Sequence, residues 1–202
     1  MKKDNPKKEA YIKALLEKHL GKEGVFRQFE FSSWGMETRP DYVILYPDRF
    51  VYYEIKSEYD TLARLYKQMT AAQALFDEMY LVAPEKTLLQ AEKEIPSLEF
   101  HCGTISLEDL ERGNLIYRTK QVYKGHTSPA AVANILWSEE RKDFVKNVSI
   151  AVNGLEMTKT EKYRKSREII ELVSTSESCL NLLNDILPNR GYNYRATRAS
   201  RG

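Results

Sequence analysis

The sequence predicts an α/β fold in which helices cover a mixed β-sheet, and three observations carry that prediction. Apolar residues recur at helical spacing over residues 5–20 (Ala10, Ile12, Leu15, Leu16, His19, Leu20) and stop at Gly21. Two apolar, β-branched and aromatic runs, residues 42–46 (YVILY) and 49–56 (RFVYYEIK), flank Pro47-Asp48 as the arms of a hairpin would. A third run, residues 79–83 (MYLVA), is apolar throughout and ends at Pro84, as expected of a strand of parallel type buried on both faces.

The remaining elements follow in chain order. Residues 24–32 (GVFRQFEFS) alternate as a first strand, with Phe26 and Gln28 on one face and Phe29 and Phe31 on shifting sides. The stretch 32–38 (SSWGMET) reads as a loop able to carry Trp34 and Met36 toward a substrate. After the hairpin, Asp60 is suited to cap a helix whose stripe is Leu62, Leu65, Met69, Ala72, Leu75 and Phe76. Residues 87–95 form another helix and 98–105 a further strand at the sheet edge. A composition break at 118–130 (RTKQVYKGHTSPA) divides the chain into a core at 1–120, a linker at 121–130 and a region at 131–202 that reads as all-helical. Helices are expected there over 129–144, 159–173 and 178–187, the last ended by Pro188.

Chemistry concentrates in the hairpin. Asp41 opens its first strand directly after Pro40, and Glu54 and Lys56 close the second. Glu54 and Lys56 share one face of that strand, with Ile55 on the other. If Pro47-Asp48 is a two-residue turn, Tyr46 pairs with Arg49 and Asp41 falls opposite Glu54, about 5 Å away between Cβ atoms. An acid beside a lysine at a strand end is ordinarily a solvated ion pair. Here the acids follow apolar runs, where an unpartnered carboxylate is costly, and two of them side by side repel unless a cation intervenes. That pairing suits a hard divalent cation serving phosphodiester cleavage. Arg64 and Gln68, four residues apart on the next helix, add long donors on one face near Lys56.

Pro40-Asp41, Glu54-Ile55-Lys56 and a following helix bearing Gln68 resemble the PD-(D/E)XK nuclease superfamily, over about residues 25–85. The stretch EIKSEYDTLARLYKQM is similar to small standalone bacterial and phage members, in which Lys-Ser leads into a helix with Arg and Gln. The resemblance implies a restriction-endonuclease-like core with a C-terminal helical appendage, and hydrolysis of DNA phosphodiesters with Mg²⁺ or Mn²⁺. It implies that Asp41, Glu54 and the Ile55 carbonyl hold the metal, with Glu9 or Glu17 as candidates for an additional acid from the first helix, Glu9 being favoured. It also implies that Lys56 steadies the attacking water and that Gln68 assists at the phosphate. Ser57, Arg64, Arg39, Lys162, Arg164, Arg190 and Arg195 are the candidate contacts to nucleic acid. The alternative reading is a non-catalytic nucleic-acid- or partner-binding module on the same core.

Composition bounds the partners. A chain of 202 residues with 42% hydrophobic content can bury one ample core. Net charge is only +2, so basic character is local: Lys2, Lys3, Lys7 and Lys8, the segment 159–167 (KTEKYRKSR), and a tail with Arg190, Arg195, Arg198 and Arg201 interleaved with Tyr192 and Tyr194. Such mixtures suit a nucleic-acid backbone and unpaired bases, with a merely solubilising tail as the rival. DNA is the expected partner, with single-stranded, duplex or branched form left open, as is a homodimer. Two distant cysteines, Cys102 and Cys179, point to a reducing compartment and away from zinc. Without an apolar leader or an 18-residue apolar run, the expectation is a cytoplasmic protein outside the membrane. No phosphate-binding glycine motif is present, and His19, His101 and His126 are scattered, which makes them packing or surface residues.

Overall fold

The computed structural model describes residues 7–22, 24–31, 39–95, 102–118, 136, 140 and 176–189. Helix α1 (Lys7–Leu20) leads into β1 (Phe26–Phe29), β2 (Tyr42–Leu45) and β3 (Phe50–Ile55). Then come α2 (Leu65–Ala72), β4 (Glu78–Ala83), α3 (Glu85–Glu94), β5 (Gly103–Ser106), α4 (Leu107–Glu111) and, near the C-terminus, α5 (Ser176–Ile186). The five strands form one sheet in sequential order, antiparallel from β1 to β3 and parallel from β3 to β5. The α/β class with a mixed sheet is therefore as the sequence predicts.

Why the middle strands read as unbroken apolar runs is now clear. Every residue of β2, β3 and β5 is buried, because helices cover both faces of the sheet. One layer holds Ile12, Leu16 and Leu20 of α1 and Leu110 of α4 against Tyr42, Ile44, Val51, Tyr53 and Ile55. The other holds Leu65, Met69 and Ala72 of α2 and Leu88 and Ala91 of α3 against Val43, Leu45, Phe50, Tyr52 and Leu81. Leu183 and Leu187, from α5 and the 3₁₀ turn after it, join this second layer. The Asn184 amide donates to the Pro47 carbonyl at 3.1 Å, fastening α5 to the hairpin turn.

Several boundaries differ from expectation. β1 is shorter than residues 24–32 because Glu30 takes the left-handed conformation (φ 51°) and ends the strand. That reversal swings Phe31 back to the layer of Phe26, with ring centroids 6.2 Å apart, which accounts for the irregular alternation. The stripe Leu62, Leu65, Met69, Ala72, Leu75 and Phe76 is buried as predicted, but Asp60 does not cap its helix. α2 begins only at Leu65, and the Asp60 carboxylate instead accepts from the Ser57 N–H at 2.6 Å and the Ser57 hydroxyl at 2.7 Å. Asp side chains take the nearest orphan N–H, and here a tight turn offers one before the helix does. β5 lies at the sheet edge but starts at Gly103; residues 96–101 lie outside the described part.

Arg118, where the composition break begins, is tied into the core, as the expected core boundary at residue 120 allows. Its backbone bridges Thr104, and its guanidinium pairs with Asp109 and Glu85 at 2.7 and 2.5 Å. The linker itself, the loop with Trp34 and Met36, the helices at 129–144 and 159–173 and the basic tail fall outside the described residues, apart from Leu136 and Glu140. His19 is a packing histidine, its Nε2 2.8 Å from the Leu110 carbonyl of α4. Cys102 is buried and free, and burial pushes its thiol up to about 12. No helix among the described residues is long and apolar enough to cross a membrane.

Candidate active site

The hairpin closes as a two-residue turn, with the Tyr46 N–H donating to the Arg49 carbonyl at 2.8 Å. The ladder then pairs Leu45 with Phe50 and Tyr42 with Tyr53. Continued by one residue, this register sets Asp41 opposite Glu54 on the face that α2 and α3 cover. Ile55 points to the α1 layer, and its N–H donates to Asp41 Oδ2 at 2.8 Å. β3 is held from its other side as well, where the Lys56 N–H continues the parallel ladder onto the Val82 carbonyl at 3.0 Å. Both acids and the lysine are thus fixed by backbone pairing rather than by loop conformation.

Glu54 is 1% exposed, an unusual place for a carboxylate. Each of its oxygens has a partner: Oε1 takes the Lys56 ammonium and Oε2 the Tyr52 hydroxyl. Lys56, 13% exposed, also reaches Gln68 Oε1 of α2 at 3.5 Å. Asp41 has no such cover. Burial and the neighbouring Glu54 charge push its carboxyl up to about 7, against the opposing pull of the Ile55 N–H and Lys56. The field of Glu9 on α1 adds to that rise, so Glu9 stands within electrostatic reach of Asp41. Glu9 itself is half-exposed and bonded to Lys13 at 2.6 Å.

The predicted residues therefore divide. Asp41, Glu54, Ile55, Lys56 and Gln68 come together, with Glu9 at their margin. Arg64 is exposed one helical turn before Gln68, its carbonyl accepting the Gln68 N–H at 2.9 Å. Ser57 is buried, its hydroxyl committed to Asp60, so it shapes the turn after Lys56. Arg39 is exposed and paired with Glu30. Lys162, Arg164, Arg190 and Arg195 lie outside the described residues. Two site residues escape the motif reading. Tyr52 is signalled only by strand period, two residues before Glu54 on the same face. Lys13, 17% exposed between Glu9 and Glu30 and drawn by the Asp41 charge, is signalled by its spacing of four from Glu9.

Among the described residues no group of three or more His, Cys, Asp and Glu side chains converges to hold a metal. The donors present are two facing carboxylates. They are hard oxygen ligands, they repel one another, and a divalent cation relieves that repulsion while completing its shell with water. On that chemistry the pair fits Mg²⁺ or Mn²⁺.

A pH effect follows. Folded Asp41 holds its proton up to about pH 7, whereas the unfolded chain releases it near the ordinary value of 3.8. Between those limits the folded state binds more protons, so stability falls as pH rises and levels off above about 7. Melting curves in EDTA from pH 5 to 8 should show this decline, and Asp41→Asn should remove it. Added Mn²⁺ should oppose it most strongly at pH 8, where Asp41 is ionised. A profile identical in parent and Asp41→Asn would show that Asp41 titrates normally.

A family model described as Bacteriophage P4 protein cII matches residues 2–194 of the chain. No curated protein and no solved structure matches it.

Proposed function

The chain belongs to the family of bacteriophage P4 protein cII, and from the site itself we propose that it is a metal-dependent nuclease hydrolysing DNA phosphodiester bonds. The single observation that carries this reading is the register that sets Asp41 against Glu54 while Lys56 bonds Glu54 and approaches Gln68. We read the five-stranded core accordingly as restriction-endonuclease-like, a finer label than the α/β class alone.

In this mechanism Asp41 and Glu54 would hold Mg²⁺ or Mn²⁺. The ion supplies Lewis-acid activation of the phosphate and of water. Because its carboxyl is pushed up to about 7, Asp41 would have to be deprotonated to serve as a ligand, so metal affinity should rise with pH up to about 7. Lys56 sits where it can pass from Glu54 toward a substrate oxygen and stabilise charge that develops there. Gln68, 3.5 Å from the ammonium, orients it, and exposed Arg64 one turn earlier meets the phosphate backbone.

Labelled single-stranded, duplex, flapped and branched DNA, plus RNA, incubated with EDTA, Mg²⁺ or Mn²⁺, test the reading. Cleavage of DNA in Mg²⁺ or Mn²⁺ and none in EDTA is the expected result. Binding without cleavage in any metal would instead assign the core to a non-catalytic nucleic-acid module.

A further inference from the structure

Tyr52 raises a question that the two acids and the lysine do not answer. Its side chain is fully buried among Val43, Met69, Phe76 and Leu81, with its ring 5.3 Å from that of Phe76. Phenylalanine would fill such a place without bringing a polar atom into the core, where a hydroxyl lacking a partner is costly. The hydroxyl is satisfied by Glu54 Oε2. Lys56 occupies Oε1, so the carboxylate is gripped at both ends and its plane is set. The two grips differ in kind. Lys56 sits on a flexible stem, partly exposed and shared with Gln68, whereas the tyrosine ring is locked in the sheet.

We propose that Tyr52 is a positioning residue of the metal site: its hydroxyl fixes the Glu54 carboxylate so that Oε1, the oxygen facing Lys56, is the one offered to the cation. This rests on the reading of Asp41 and Glu54 as metal ligands. Outer groups that orient a ligand in this way typically change metal affinity by about 10- to 100-fold when removed. Tyr53, the next residue, is the internal control. It is equally buried, but it faces the α1 layer, and its hydroxyl bonds Tyr117 instead of an acid.

The test is Mn²⁺ binding to the full-length protein, measured by calorimetry at pH 8 without nucleic acid and paired with melting curves. Tyr52→Phe should weaken Mn²⁺ by about 10- to 100-fold, while Tyr53→Phe leaves the affinity at the parent value. p-Aminophenylalanine at position 52, which keeps a donor at the same point, should restore binding to near the parent value. A merely structural hydroxyl would lower the melting temperature of Tyr52→Phe and leave its Mn²⁺ affinity unchanged, and that outcome overturns the proposal. So does failure of p-aminophenylalanine to restore binding in a folded protein. If the parent itself binds no Mn²⁺, the metal-site reading falls and this proposal falls with it. Normal binding by the parent and by Tyr52→Phe alike sinks only the role of Tyr52.

Discussion

Lys56→Ala should cost both activity and fold. Glu54 is 1% exposed, and Lys56 is the cation bonded to it. Removing one partner of a buried ion pair leaves a charge that neither water nor protein compensates, a loss of roughly 3–5 kcal/mol. For a chain of this length that corresponds to a melting temperature lower by roughly 10 °C. The Tyr52 hydroxyl still holds Oε2 but supplies no net charge, and Asp41 across the ladder makes matters worse once ionised. Two further results separate this from ordinary damage to a core. Mn²⁺ should recover most of the lost stability, because a dication between the acids replaces the missing ammonium. Lys56→Arg should keep the fold while losing cleavage, since a planar guanidinium pairs with Glu54 but cannot take the place of a compact ammonium at the phosphate. A Lys56→Ala protein that melts with the parent in EDTA at pH 8 would contradict the burial argument.

Asp41→Asn should behave in the opposite way with respect to stability. The amide keeps an oxygen for the Ile55 N–H and has the shape of the acid, yet it removes a carboxyl that burial and Glu54 push up to about 7. At pH 8 in EDTA the variant should therefore melt at or above the parent temperature. Cleavage should fall by at least about 10³-fold, the equivalent of roughly 4 kcal/mol of transition-state stabilisation lost with a metal ligand. The stabilisation that Mn²⁺ gives the parent should shrink in parallel. A stable protein without activity identifies a residue kept for chemistry at the expense of the fold. Cutting at the parent rate by Asp41→Asn would remove Asp41 from the mechanism.

Much of this site was legible in the chain because strand geometry is nearly deterministic over short distances. Side chains alternate with a period of two, and a two-residue turn leaves one register for a hairpin. Asp41 opposite Glu54 follows from Pro47-Asp48 by counting, and the structure has that register. The buried stripe of Leu65, Met69 and Ala72 is equally local, since helical spacing needs only neighbours along the chain, whereas Leu62, Leu75 and Phe76 are buried from just outside the helix. Capping was less legible. The sequence points Asp60 at the helix start, but the helix begins only at Leu65 and the folded turn gives Asp60 the Ser57 N–H instead.

What the sequence determined by itself is the α/β class, the hairpin, and an acid–acid–lysine set at one end of buried strands. These depend on periodicity, turn chemistry and residue type, all properties of short segments. What only the tertiary structure decided is how those groups are charged and held. Tyr52 reads as one more aromatic in a β-rich run until both sheet faces are covered and its hydroxyl meets Glu54. Arg118 reads as the first residue of a composition break until Asp109 and Glu85 converge on it from α4 and α3. Asp41 is marked in the sequence as an acid facing Glu54, but how far its carboxyl is raised depends on the burial that the packed sheet imposes and on the field of Glu9 from α1. Burial and the field of distant residues are sums over the whole packed molecule, and no window of sequence contains them.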